Sequence, residues 1–253
     1  MCTITWSCAP TGFDVVFSRD EQRSRALALP PRLVPGFDAP VLAPFDPAGG
    51  GTWIMVNAHG LAVCVLNQYD AAVSTNVPTL EKPEVSRGHL PLALARFSAV
   101  TDCASPLRIA LASAAFKPCF IYAFDAAGRN AAWRSDGQTL EARRIPQFGM
   151  ASTSSVDTAR IVAQREERFR AFAAMFDDGL DGRALRHFHE AAESPSDAIS
   201  VRMSRADART VSLTRLSVRR ESITMEYAPR ERDGGFAPPT RHLLPPAKER
   251  ATP

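Results

Sequence analysis

Lysine is almost missing from this 253-residue chain: only Lys82, Lys117 and Lys248 are lysines, against 27 arginines. Net charge is scarce as well. The formal value is +3, and the basic residues are scattered rather than striped, which points away from a nucleic-acid partner. The arginine excess, together with abundant alanine and proline, fits a GC-rich, bacterial coding sequence. Cysteine is sparse and odd in number. Cys2, Cys8, Cys64, Cys103 and Cys119 show no C-x-x-C spacing, so neither a disulfide framework nor a Cys-based zinc site is indicated. No stretch approaches the roughly 18 consecutive apolar residues of a membrane span. The N-terminus lacks the basic and apolar regions of a signal peptide. A reduced, cytoplasmic protein is the expectation.

Two familiar motifs are missing too. Gly49-Gly50-Gly51 is not followed by Gly-Lys-Ser/Thr and enters a strand rather than a helix, so it is no phosphate loop. Ser152 to Ser155 lack any G-x-S-x-G context. His187 and His189 fall roughly 200° apart on a predicted helix and read as a surface or partly packed pair. His59 and His89 sit in a turn and near a helix start, without supporting metal spacing.

What is present is an ordinary globular composition, 45% apolar and 23% charged, long enough to bury a substantial core. Residues 2–6 and 13–18 are β-branched and aromatic runs joined through Pro10-Thr11-Gly12, a predicted hairpin. Residues 22–51 are broken by six prolines and read as a surface wrap or cleft frame. Apolar strands are predicted at 52–56 and 61–66 around the Asn57-Ala58-His59-Gly60 turn. A second irregular loop follows at 68–86, then helical segments at 87–97 and 104–116. Strands are expected at 119–124, 131–134, 139–142 and 148–155. A helix capped by Asp157 carries Ile161, Val162, Phe169, Phe172 and Phe176 on one face. Another runs from Asp181 through Glu193. Strands return at 198–203, 210–214 and 222–227. Residues 1–229 then form one domain, and the Pro/Arg-rich stretch 230–253 is expected to be a disordered tail. Strands, helices and strands again argue for an α+β fold of packed, mainly antiparallel sheets with helices outside.

The first twenty residues hold the candidate chemistry. Methionine aminopeptidase acts when the second residue is small, so Met1 is expected to be removed, leaving Cys2 as the N-terminus. Cys2 then carries a thiol, ordinarily titrating at about 8.5, and an α-amine at about 7.7–8.0. One residue supplies a nucleophile and its own base. A hairpin brings its first and last residues together, which sets Arg19 and Asp20 beside Cys2. There an arginine favours thiolate and a carboxylate can hold the ammonium; the same pair also reads as a solvated strand-end ion pair. Asn67 ends the second hairpin, where its amide either stabilises an oxyanion or simply terminates a strand.

Met1-Cys2, Ser18-Arg19-Asp20-Glu21, Gly50-Gly51-Thr52-Trp53, Gly60-Leu61 through Asn67, and Ser86-Arg87-Gly88 occur in the order found in the NRDE (transport and Golgi organisation protein 2) family, which this chain resembles. The family looks related to N-terminal nucleophile hydrolases of the penicillin acylase and bile-salt hydrolase group. The resemblance implies a four-layer αββα sandwich. It implies Cys2, Arg19, Asp20 and Asn67 as catalytic residues and Trp53, Ser154 and Arg87 as substrate-binding positions. The activity implied is hydrolysis of linear amides or related acyl compounds, with no cofactor. Ser18 replaces the asparagine of the family motif, Ser154 falls where close relatives have one, and the later active-site arginine of the acylases has no assignable position. The family's ties to haem and lipid handling imply an alternative, a non-catalytic carrier in which His59, His89 or a cysteine ligates haem.

Overall fold

The β1 strand (Cys2–Ala9) and the β2 strand (Gly12–Gln22) form the predicted hairpin. The turn between them needs glycine. Gly12 has a φ of +138°, and a Cβ there would lie 2.0 Å from the Val218 carbonyl oxygen. In this computed structural model, which describes residues 1–69, 84–176, 179–191 and 198–247, the hairpin lies inside a six-stranded antiparallel sheet. Strand β10 (Phe148–Thr153) flanks β1, and β11 (Ala208–Arg219), β12 (Ser222–Pro229) and β13 (Thr240–Leu244) continue beyond β2. A seven-stranded sheet runs in sequence order from β3 (Leu29–Val34) and β4 (Val41–Phe45) through β5 (Ile54–Asn57), β6 (Ala62–Asn67), β7 (Cys119–Phe124) and β8 (Asn130–Ser135) to β9 (Leu140–Arg143).

Alternation along β1 and β2 explains how the sheets stack. Ile4, Trp6, Phe13, Val15 and Phe17 share one face and join the core between the two sheets. Trp6 meets Tyr122 and Phe124 at centroid distances of 5.7 and 6.0 Å, and Phe13 meets Phe124 at 5.6 Å. The opposite face carries Thr3, Thr5, Asp14, Val16 and Ser18. It is covered by α3 (Thr158–Ala173) and α4 (Gly182–Glu190), with Phe169, Leu185 and Phe188 packing on Val16 and Leu213. On the far side of the second sheet lie α1 (His89–Ala93) and α2 (Ala104–Ser113), which insert Leu90, Leu107 and Leu111. The layers are therefore α/β/β/α, as expected. No helix among the described residues is long and apolar enough to cross a membrane.

Several local expectations give way. The proline-rich stretch 22–51 contains two strands rather than an irregular wrap. Pro30 and Pro31 are tolerated because β3 is the edge strand and its register shifts between Leu29 and Arg32. Residues 198–203 form no strand; their carbonyls turn to a buried guanidinium instead. The expected disordered tail is ordered through residue 247, since β13 pairs antiparallel with β12 from Thr240 to Leu244. Asp157 caps no helix with its side chain, which bonds Arg160. Asp181 does cap α4, accepting from the backbone N–H groups of Arg183 and Ala184 at 2.9 and 2.8 Å. Residues 70–83 of the second predicted loop, and the predicted helix end at 192–193, lie outside the described residues.

Candidate active site

Strand register sets the site. Cys2 stands opposite Arg19 on β2 and Thr153 on β10, and Arg19 stands opposite Ser212 on β11. Facing residues in an antiparallel pair share a side of the sheet, so Cys2 and Arg19 both point between the sheets. Where the sheets part, a cavity of about 130 Å³ opens, lined by Cys2, Arg19, Asp20, Trp53, Asn67 and Arg87 among others. The first sheet supplies three of these residues. The second supplies Asn67 from the end of β6, while Trp53 and Arg87 come from the segments before β5 and α1. That last approach depends on glycine: Thr52 donates its N–H to the Gly88 carbonyl at 3.0 Å, and a Cβ on Gly51 would fall 2.5 Å from the same oxygen.

Arg19 is locked in place. One nitrogen lies 3.2 Å from both Glu21 and Asp46, and the guanidinium sits 4.3 Å from the Trp53 ring centre. Asp46 also binds Arg25 at 2.7 Å, and its carboxyl stays below the usual carboxylate range because these two arginines outweigh its burial. Trp53, implied as substrate-binding, thus shelves Arg19. Its indole N–H is buried without an acceptor among the described residues.

Asp20, one residue on, turns towards the helical layer. Its Oδ1 accepts from Thr210 at 2.7 Å, while Oδ2 has no hydrogen-bond partner and lies 3.9 Å from Arg165 of α3. Burial raises the Asp20 carboxyl, against the opposing pull of Arg165 and the N-terminal charge. Arg165 is fully buried and donates to Thr3, Ser152 and the carbonyls of Ala198, Ile199 and Ser200 at 2.8–3.2 Å. Nothing in its sequence neighbourhood, Gln164-Arg165-Glu166-Glu167, marks it out from a solvated helix face.

The Cys2 thiol departs from expectation. Arg19 is only the weakest influence on it; burial dominates and pushes it up, opposed chiefly by the N-terminal ammonium. At neutral pH the thiol is therefore held in its protonated form. In the full chain the terminal ammonium belongs to Met1 and donates to the Tyr69 hydroxyl at 2.9 Å, while Asn67 donates its amide to the same oxygen at 3.1 Å. Burial drives the Tyr69 hydroxyl up to about 12. Sequence reasoning passed over Tyr69 because it lies in the predicted irregular loop. Ser154 is not drawn in: its hydroxyl donates to the Val156 carbonyl and it does not line the cavity.

Beneath the site, His189 goes further than the surface or partly packed reading of the α4 histidines, whereas His187 is exposed. His189 is fully buried, with Nε2 3.0 Å from Thr5 Oγ1 and Nδ1 2.7 Å from Ser18 Oγ. Burial, with Arg165 nearby, lowers its pKa from 6.5 to about 3. Between those values the unfolded chain binds a proton that the native one does not, so this residue's contribution to stability declines as pH falls from 6.5 towards 3. The raised carboxyl of Asp20 acts in the opposite sense, losing stability as pH rises above 3.8. Urea titrations at pH 7 and 4.5 should show a smaller acid loss in His189→Gln than in the parent. Equal losses would remove His189 from the account.

No protein-family model matches the chain, and no curated protein does. Solved structures do. Penicillin V acylase from Agrobacterium tumefaciens superposes with a TM-score of 0.54 at 14% identity, covering 90% of this chain and 83% of that one. The C2A mutant of conjugated bile acid hydrolase from Clostridium perfringens gives 0.55 at 12%, covering 99% and 94%. This is the N-terminal nucleophile hydrolase fold. The N-acylethanolamine-hydrolyzing acid amidase orthologue of Caenorhabditis elegans shares it at 0.56 and 8% identity, covering 85% and 92%. In that fold Cys2 opens the strand beside the cavity, and the resemblance read from the sequence agrees with it at the level of architecture.

Proposed function

We propose that the protein is an N-terminal-cysteine amidohydrolase or acylase acting on a small linear amide or related acyl compound. The observation that carries this is the register: Cys2 opposite Arg19, at a cavity that also receives Asp20 and Asn67. The kinship of the fold with acylases and amidases supports it, and the NRDE resemblance names the same residues.

Once Met1 is removed, the α-amine of Cys2 takes the thiol proton and the sulfur attacks the substrate carbonyl carbon, forming a C–S bond. Asn67 donates to the oxyanion. On collapse the C–N bond breaks, and the ammonium returns its proton to the departing amine. Water then attacks the thioester, with the α-amine taking its proton; the acid leaves and the thiol is regenerated. Asp20 Oδ2, buried and without a hydrogen-bond partner, is the acceptor that would steady the ammonium. With Met1 attached, the Cys2 nitrogen is an amide and has no basic lone pair to offer.

The haem alternative rests on His59, His89 or a cysteine; of these, Cys2 lines the cavity and the two histidines do not. The test is an electrophilic acyl probe followed by peptide mapping. Protein lacking Met1 should be acylated at Cys2, and protein retaining Met1 should not. Labelling that is indifferent to Met1 would sink the proposed role of the α-amine.

A further inference from the structure

The arginines and carboxylates around Cys2 are unevenly paired. Arg19 and Arg25 are matched by Glu21 and Asp46: Arg19 lies 3.2 Å from both, and Arg25 lies 2.7 Å from Asp46 and 3.4 Å from Glu21. Asp20 faces Arg165 behind the sheet at 3.9 Å. Arg87 is left over. Its guanidinium lines the cavity, Nη1 donates to the Pro118 carbonyl at 3.1 Å, and among the described residues no carboxylate comes within ion-pair distance of it.

Among the described residues, the wall around Cys2 therefore holds one positive charge without an ion-pair partner. A planar guanidinium with part of its fork unoccupied matches a carboxylate, which accepts two parallel hydrogen bonds. The small cavity leaves room for only a short chain beside it.

Resting on the hydrolase reading, we propose that Arg87 recognises a carboxylate on the substrate, which is then a short amide with its anionic group a few bonds from the scissile carbonyl. A neutral or long apolar acyl group leaves the open side of that guanidinium unsatisfied.

Binding can be read without turnover in full-length Cys2→Ala protein, by calorimetric titration at low salt. N-acetylglycine carries the carboxylate on the amine half and succinamate carries it on the acyl half; N-acetylglycinamide and succinamide are their neutral twins. At least one carboxylate should bind about tenfold or more tightly than its twin. That preference should collapse to within about twofold on adding Arg87→Gln and survive in part with Arg87→Lys; which probe wins tells which half Arg87 reads. Equal binding of carboxylate and carboxamide, including no measurable binding of either, overturns the inference, and so does a preference that persists in a folded Arg87→Gln protein. The hydrolase reading fails separately: a carboxylate preference without acylation of Cys2 leaves Arg87 an anion site and removes the enzyme. Acylation of Cys2 without any carboxylate preference does the reverse.

Discussion

Cys2→Ala should lower turnover of any substrate by roughly 10³-fold or more while leaving its dissociation constant within a fewfold. The asymmetry follows from position. Cys2 contributes one sulfur to a wall otherwise built by Arg19, Trp53, Asn67 and Arg87, so binding contacts survive when the nucleophile goes. Alanine is small enough to allow removal of Met1, so the α-amine of the proposed mechanism is retained, and direct attack by bound water sets the floor. The check is single-turnover kinetics together with equilibrium binding on the same preparation. A variant that keeps more than about a tenth of parental turnover would mean that the thiol forms no covalent intermediate, and the fold would be serving another chemistry.

Arg165→Met should destabilise the protein by about 3–5 kcal/mol, the range for breaking a buried charged network by removing one partner. The nearest approach to Asp20 is 3.9 Å, too long for a hydrogen bond, so the ion pair is not the main term. The hydrogen bonds are. Thr3, Ser152 and the carbonyls of Ala198, Ile199 and Ser200 all receive donors from this one guanidinium at 2.8–3.2 Å. Each would be left buried and unsatisfied. Arg165→Lys should recover little, because a single ammonium cannot reach acceptors spread across a planar fork. Urea unfolding monitored by far-UV circular dichroism measures both variants. A loss under about 1 kcal/mol for Arg165→Met would show that water replaces the network at little cost.

The Arg165 network also marks where sequence reading stopped. Cys2 and Arg19 face one another because a tight turn at Gly12 fixes the hairpin and the two-residue repeat does the rest; those are local properties, and the sequence showed them. Asn67 came the same way, from a hairpin end. The interior of 22–51 did not, because six prolines look like a loop until an edge strand and a register shift accommodate them. Residues 230–247 read as a tail because β13 is polar on the outside and acquires its reason only by pairing with β12.

Strand pairing puts Thr3, Thr5 and Ser18 on the face away from the intersheet core, but does not by itself bury them. Two helices cover that face, so Arg165 and His189, polar positions on those helices, become the partners those groups require. The sequence by itself determined a hairpin with a cysteine at its head and an arginine opposite. Only the tertiary structure decided that the thiol rests neutral, that Asp20 turns to the helices, that Trp53 shelves Arg19, and that Arg87 lines the cavity with no carboxylate among the described residues within ion-pair distance. Register is carried by neighbours in the chain, whereas burial and charge pairing are set by segments up to about two hundred residues away, brought together by packing.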